Sequence, residues 1–143
     1  MNFVKMILVG LMLSLLGSAA LAAESYNEGR VVNVSYVRVK PGMYDAYMKF
    51  LATDYKRLME AQKKAGIVVD YSVYSAESRT PQDANLILTT TYANMAALDR
   101  SEEAQAIATK VIGDNATMNK GTQDRGAMRE ILGNQLVRQL ILK

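Results

Sequence analysis

The sequence predicts a single α+β domain whose four strands and two helices follow the order β-α-β-β-α-β. Three features carry this prediction: a run of β-branched residues over 31–39, an amphipathic helical pattern over 43–65, and two alternating segments at 67–77 and 86–92. Strands and helices in this order form a four-stranded antiparallel sheet with both helices on one face.

Residues 1–22 have the three parts of a bacterial secretory signal peptide. Lys5 gives a charged start, an apolar run follows from Met6 to Leu16, and an Ala-Leu-Ala cleavage motif ends at Ala22. A membrane anchor is the alternative, but the apolar run is shorter than the roughly 20 residues of a spanning helix. We therefore expect cleavage after Ala22, export to the periplasm or the medium, and no stable membrane insertion of the mature protein.

The composition excludes several kinds of chemistry. The 143 residues include no cysteine, histidine or tryptophan, which rules out disulfides, thiol nucleophiles, imidazole catalysis and the common zinc and haem ligand sets. The acidic residues are scattered and form no calcium-binding loop, so we expect neither a metal site nor a cofactor. The net charge of +3 comes from interspersed charges and gives no indication of nucleic-acid binding.

The domain is predicted to span 31–143, after a polar and flexible lead-in at 23–30. Its first strand, over 31–39, alternates between two faces. We expect the more apolar face to pack on the helices and the other face to point away from them. The two sets are Val32, Val34 and Tyr36 against Asn33, Ser35 and Val37.

The first helix is predicted over 43–65, directly after Pro41 and Gly42 end the strand. Apolar residues recur at intervals of three and four and form a single stripe. The stripe consists of Tyr44, Tyr47, Met48, Leu51, Tyr55, Leu58 and Met59. Gly66 then lies where a C-terminal cap belongs.

The second and third strands, at 67–77 and 86–92, are predicted to form a hairpin. A second helical region follows over 95–112, with a break near 99–101 where Asp99 or Ser101 caps a new start. The remaining chain is predicted to be a polar loop over 113–126 and then a last element. Alternation over 134–142 favours a strand there, although a helix would also group the apolar residues on one side.

The resulting order is the ferredoxin-like arrangement. Together with a Val-Lys-Pro-Gly sequence at 39–42 that leads into a long amphipathic helix, it resembles the dimeric α+β barrel superfamily, near the antibiotic-biosynthesis-monooxygenase-like domains. The resemblance covers about 30–143. The resemblance implies that two sheets pair in a homodimer. The superfamily includes monooxygenases without cofactors, haem-degrading enzymes and small-ligand sensors, so the fold does not select a function. The haem-degrading branch relies on Asn, Trp and His, and this chain lacks two of the three.

Strand faces that point away from the helices also favour a homodimer. Apart from Asp70 they carry almost no charge, which suits a face covered by another sheet. The residues on which this expectation rests are Asn33, Ser35, Val37, Ser72, Tyr74, Ile87, Thr89 and Thr91.

Five side chains are candidates for a ligand-binding pocket between the sheet and the helices. They are Tyr36, Arg38, Tyr47, Tyr71 and Tyr92. Tyrosine hydroxyls and one guanidinium could orient a phenolic or carboxylate ligand. The alternative is that the tyrosine rings fill the core and the arginine extends to water from a strand end.

Three functions follow from these observations. The first is an exported, non-catalytic dimer that binds a small apolar or aromatic molecule. The alternatives are a cofactor-independent monooxygenase-like enzyme and a structural or interaction protein of the cell envelope. The sequence contains no constellation that decides whether the protein is an enzyme.

Overall fold

The computed structural model describes residues 25–143, so the predicted signal peptide at 1–22 lies outside the described residues. Within 25–143, no helix combines the length and the apolar character needed to cross a membrane. The elements in chain order are β1 (Tyr26–Val39), α1 (Tyr44–Phe50), a π-helical segment (Leu51–Tyr55), α2 (Lys56–Lys64), β2 (Asp70–Ser75), β3 (Leu86–Tyr92), a 3₁₀ helix (Met95–Arg100), α3 (Ser101–Ile112), α4 (Asn115–Met128) and β4 (Arg129–Leu142).

The four strands form one antiparallel sheet in the order β2-β3-β1-β4. This order confirms the predicted ferredoxin-like α+β arrangement and the predicted hairpin between β2 and β3. The C-terminal segment is a strand, as predicted, and it begins at Arg129 rather than at Asn134.

The first strand is longer than predicted, because β1 begins at Tyr26 and not at Val31. Tyr26 lies opposite Leu142, and Glu28 lies opposite Leu140. The Glu28 carboxylate also forms an ion pair with Arg138 on β4. These pairings correct the predicted flexible lead-in: backbone hydrogen bonds to a long partner strand order a segment whose side chains are polar.

The two faces of β1 are the reverse of those predicted. Val31, Val37 and Val39 are buried, with 1%, 1% and 5% of their surface exposed, and the last two pack in the core against Tyr47 and Leu86. Because side chains alternate along a strand, the odd-numbered residues face the helices. The set assigned to the helices, which includes Val32, Val34 and Tyr36, lies on the other face.

The first helical segment runs without a break from Tyr44 to Lys64, close to the predicted 43–65. Gly66 follows with φ of +69°, which is the left-handed backbone that glycine adopts most readily. The predicted break in the second helical region is also present, since a 3₁₀ helix joins α3 at Ser101. The predicted cap at Asp99 or Ser101 is wrong, because α3 has no side-chain cap and the Asn94 side chain caps the 3₁₀ helix instead.

The predicted polar loop over 113–126 is wrong, because α4 occupies most of it. Local hydrogen bonds start this helix: the Asp114 carboxylate accepts from the Thr117 backbone N–H at 2.9 Å and from its hydroxyl at 2.8 Å. No residue of α4 is buried. The helix therefore lacks the apolar stripe on which the sequence prediction depended, and it contains Gly121 and Gly126, which disfavour helix.

Two glycine-to-alanine substitutions should change stability in opposite directions. A Cβ at Gly66 or at Gly126 would meet nothing within 4 Å, so only the backbone matters. Gly66→Ala should lower the free energy of unfolding by about 1–2 kcal/mol, the strain of a left-handed non-glycine residue. Gly126→Ala, inside α4, should raise it by up to about 1 kcal/mol. Urea unfolding of both variants tests this, and equal shifts of the two midpoints would contradict the backbone assignment.

Candidate functional site

A cavity of about 800 Å³ lies between the helix-facing side of the sheet and the helices. Ser35 and Val37 of β1, Leu88 of β3 and Ile131 of β4 form its sheet side. The helical side includes Tyr47, Phe50, Leu58, Met59, Ala108, Ile112, Met118 and Met128. The walls are therefore mainly apolar, with short side chains such as those of Ser35 and Ala108 leaving the space open.

The π-helical segment Leu51–Tyr55 shapes one wall. A π turn contains one more residue than an α turn, and such turns occur often at functional sites. Here the neighbouring residues Asp54 and Tyr55 both line the cavity, together with Phe50 in the preceding turn. The extra residue thus brings a carboxylate and a phenol to the same wall.

Two arginines on the α4–β4 side stack on two aromatic rings. The guanidinium of Arg125 lies 5.2 Å from the centre of the Phe50 ring, and that of Arg129 lies 6.0 Å from the centre of the Tyr47 ring. The two rings are themselves stacked at 5.8 Å. Cation–π contacts of this kind contribute roughly 0.5–2 kcal/mol each, and they hold both charges beside the cavity.

The described residues provide no ion-pair partner for either of these arginines. Arg125 donates a hydrogen bond to the Thr122 hydroxyl at 2.9 Å. Two carboxylates at the cavity are already paired, Asp54 with Arg57 and Asp124 with Lys120, at 3.0 and 2.9 Å. Burial lowers the pKa of Arg125, and the positive charge of Arg129 lowers it further. The α4–β4 side of the cavity therefore carries two positive charges without a direct ion-pair partner among the described residues, although the nearby Asp54 and Asp124 carboxylates partly offset that of Arg125.

Two polar atoms near the cavity are buried without a hydrogen-bond partner among the described residues: the Tyr55 hydroxyl and Nε of Arg129. Burial raises the pKa of Tyr55, and the nearby Thr90 hydroxyl opposes this shift, although the two groups do not reach hydrogen-bond geometry. An unsatisfied buried donor costs about 1–3 kcal/mol. The protein thus leaves two donors without acceptors at an apolar cavity.

The structure brings three of the five predicted site residues to the helix-facing side of the sheet. Tyr47 lines the cavity and is 2% exposed. Tyr71 packs edge-on against Tyr55, with ring centres 5.9 Å apart. Tyr92, at the end of β3, lies on the same side, and burial raises its pKa.

The other two predicted residues, Tyr36 and Arg38, lie on the opposite face of β1. The Tyr36 hydroxyl donates to the Gln135 side chain at 3.3 Å. Arg38 pairs with Glu130 and donates to the Gln82 carbonyl at 3.0 Å. Of the five predicted residues only Tyr47 lines the cavity, and Tyr36 and Arg38 lie away from it because the predicted faces of β1 are reversed.

Sequence reasoning missed both arginines of the cavity, since it predicted α4 as a loop. The signals that could have revealed the helix are local. Asp114 and Thr117 have the spacing of an N-cap, and Lys120 and Asp124 have the i,i+4 spacing of a helical ion pair. Arg125 and Arg129 have the same i,i+4 spacing across the junction of α4 and β4.

Comparisons with protein-family models and with curated protein sequences gave no match. Among solved structures, the chain is similar to protein SO0527 from Shewanella oneidensis, with a TM-score of 0.50 and 18% identity over 81% of this chain and 96% of that one. It is also similar to a dimeric ferredoxin-like protein from an uncultured marine organism, with a TM-score of 0.50 and 8% identity over 82% and 90% of the two chains. The chain has a ferredoxin-like fold. The predicted resemblance to dimeric ferredoxin-like proteins is confirmed at the level of the fold. HapK from Hahella chejuensis matches with a TM-score of 0.49 and 16% identity over 76% and 91% of the chains.

Tyr71 should titrate at unusually high pH because its hydroxyl donates to the Glu60 carboxylate at 2.7 Å. This bond, followed by burial, raises the pKa of Tyr71 to about 12 from 10.0. A raised pKa in the folded state means that the associated stability is complete below the unfolded value and is lost as the pH rises through the folded value. Burial also raises the pKa of Tyr55 and Tyr92, so the Tyr71 step in an ultraviolet titration of tyrosinate is identified by its disappearance in Tyr71→Phe, and it should move to lower pH in Glu60→Gln. An unchanged titration of Glu60→Gln would contradict the assignment.

Proposed function

We propose that this chain is an exported homodimeric protein that binds a small apolar or aromatic molecule between its sheet and its helices. The observation that carries the proposal is the cavity of about 800 Å³ with mainly apolar walls. Ligand pockets of proteins commonly measure about 300–1,000 Å³ and combine apolar walls with a few polar groups. The cavity meets both descriptions.

The cavity is partly open to solvent and much larger than the voids that close packing leaves. Protein interiors are close-packed, with few voids larger than a water molecule. The aromatic and aliphatic part of the wall offers few hydrogen-bond partners to water, because ordered buried water needs several polar groups. The aromatic rings of Tyr47, Phe50 and Tyr55 line the space, and they offer faces and edges on which another ring can pack. An aromatic molecule of small size is therefore the occupant that we propose.

Filling the cavity should abolish this binding. Met118 lines the cavity, whereas Met95 lies in the 3₁₀ helix and is 41% exposed. We expect Met118→Trp to weaken the binding of 1-naphthol, used as a neutral aromatic probe, at least tenfold because the indole occupies the same space. Met95→Trp makes the same chemical change away from the cavity and should leave binding unchanged. Titration calorimetry, with thermal unfolding as a check on folding, measures both.

Two outcomes would contradict the ligand-binding proposal. One is wild-type protein that binds no 1-naphthol at millimolar concentrations and retains no small molecule in native mass spectrometry. The other is equal binding by the wild type and a folded Met118→Trp variant, which would locate the probe outside the cavity.

The proposed homodimer rests on the face of the sheet opposite the helices, called here the outer face. Its residues are Val32, Val34, Tyr36, Ser72, Tyr74, Ile87, Thr89, Thr91, Gln135 and Val137. Its charged groups, Asp70, Arg38 and Glu130, lie near the strand ends. A solvated face would carry more charge, and the marine structural relative is described as dimeric. The residues of β2 and β3 are those that the sequence indicated, but the β1 residues Asn33, Ser35 and Val37 face the helices instead.

A charge at the centre of the outer face should dissociate the dimer. Val34 lies opposite Thr89 and Gln135 on the two neighbouring strands. Val34→Asp would place two unpaired carboxylates in a sheet-to-sheet interface, at a large desolvation cost, so we expect at least tenfold weaker association. Ala106→Asp on exposed α3 is the matched control and should remain dimeric. Sedimentation velocity measures the association of both.

A monomeric wild-type protein would contradict the dimer. The mass of protein recovered from the exported fraction also tests the proposed signal peptide, because cleavage after Ala22 leaves a chain that begins with Ala23.

A further inference from the structure

We propose that the molecule held in the cavity is an aromatic acid whose carboxylate binds the guanidinium groups of Arg125 and Arg129. This inference rests on the proposed function and adds the chemical class of the ligand. The juxtaposition that carries it is an apolar cavity of about 800 Å³ with two arginines among its lining residues.

The stacking of the two arginines prepares them for a planar anion. Each guanidinium lies over an aromatic ring, Phe50 for Arg125 and Tyr47 for Arg129. The N–H groups of a guanidinium lie in its own plane, so contact with a ring face leaves them free to donate sideways, and two of them match the two oxygens of a carboxylate. The same stack of rings continues the apolar wall on which the ring of the ligand would lie.

The nearby carboxylates form no ion pair with Arg125 or Arg129, so both guanidinium groups can bind the carboxylate of a ligand. Asp54 and Asp124 also line the cavity, but they already pair with Arg57 and Lys120. Among the described residues, Arg129 donates no side-chain hydrogen bond, and its Nε is buried without an acceptor. Two neighbouring cations repel each other, and burial together with the positive charge of Arg129 lowers the pKa of Arg125. A bound anion would relieve the repulsion and supply the missing acceptor.

Tyr55 favours a second oxygen on the ligand. Tyr55 lines the cavity, and its hydroxyl is buried without a hydrogen-bond partner within the described chain. A hydroxyl or carbonyl oxygen on the ring, away from the carboxylate, would accept its proton. The carboxylate and the second oxygen would then fix the orientation of an otherwise apolar molecule.

A matched pair of probes tests the charge. 1-Naphthoate and 1-naphthol share one ring system and differ in the anionic group, so their affinities separate the acid preference from aromatic binding. In wild-type protein at pH 7 we expect the acid to bind at least tenfold more tightly. Arg129→Met should remove this advantage, so that the ratio of the two affinities falls to about one, and Arg129→Lys should retain part of it. Arg79→Met removes one charge from a loop outside the cavity and should change neither affinity.

Equal affinities of the two probes for the wild type would overturn the acid preference and leave the aromatic-binding proposal standing. Failure of both probes to bind would overturn the proposed function as well. If Arg129→Met does not fold, Arg125→Met provides the same comparison through the other guanidinium. Retention of the acid advantage in both folded methionine variants would also overturn the inference.

Discussion

The packing of β1 against the first helical segment is the contact on which the rest of the structure depends. Val37 and Val39 meet Tyr47, Leu51 and Leu86 in one buried cluster, and this cluster fixes the helix at one end of the sheet. Further along the same face, β1 carries Ser35 and Asn33 instead of large apolar residues. The helix is thus held against the sheet at its first turns, while smaller side chains leave the cavity open beyond them.

This arrangement explains which parts of the fold the sequence could predict. The βαββαβ order and the four strands follow from long apolar periodicities, such as the stripe from Tyr44 to Met59. The faces of β1 could not be predicted in this way, because Val32, Val34 and Tyr36 form a more apolar set than one that contains Asn33 and Ser35. The core lies on the odd face because Val31, Val37 and Val39 flank those two residues. The polar residues Asn33 and Ser35 lie on the helix-facing side of β1, near the cavity. A prediction that assigned the face with more apolar residues to the core therefore chose the wrong face.

The candidate site was less accessible to sequence reasoning because eight of its 21 lining residues lie on α4. No residue of that helix is fully buried. The helix is held by its cap at Asp114, by the ion pair between Lys120 and Asp124, and by Met128, which packs against the core cluster. Its contacts with the rest of the chain include the stacking of Arg125 on Phe50. An element stabilised in this way belongs to the less stable part of a fold, which suits the wall through which a ligand would enter.

Neighbouring residues of β1 serve the two proposed roles, dimer formation on the outer face and ligand binding in the cavity. Val34 lies at the centre of the outer face, and its neighbour Ser35 lines the cavity. The Ser35 hydroxyl also donates to Asn134 of β4 at 2.6 Å, and β4 supplies both Arg129 to the cavity and Val137 to the outer face. A second copy that packed on the outer face would therefore fix the same two strands that position the cavity wall. Because interfaces and cores are packed too tightly to deform independently, assembly and ligand binding would share the β1–β4 pair as their common support.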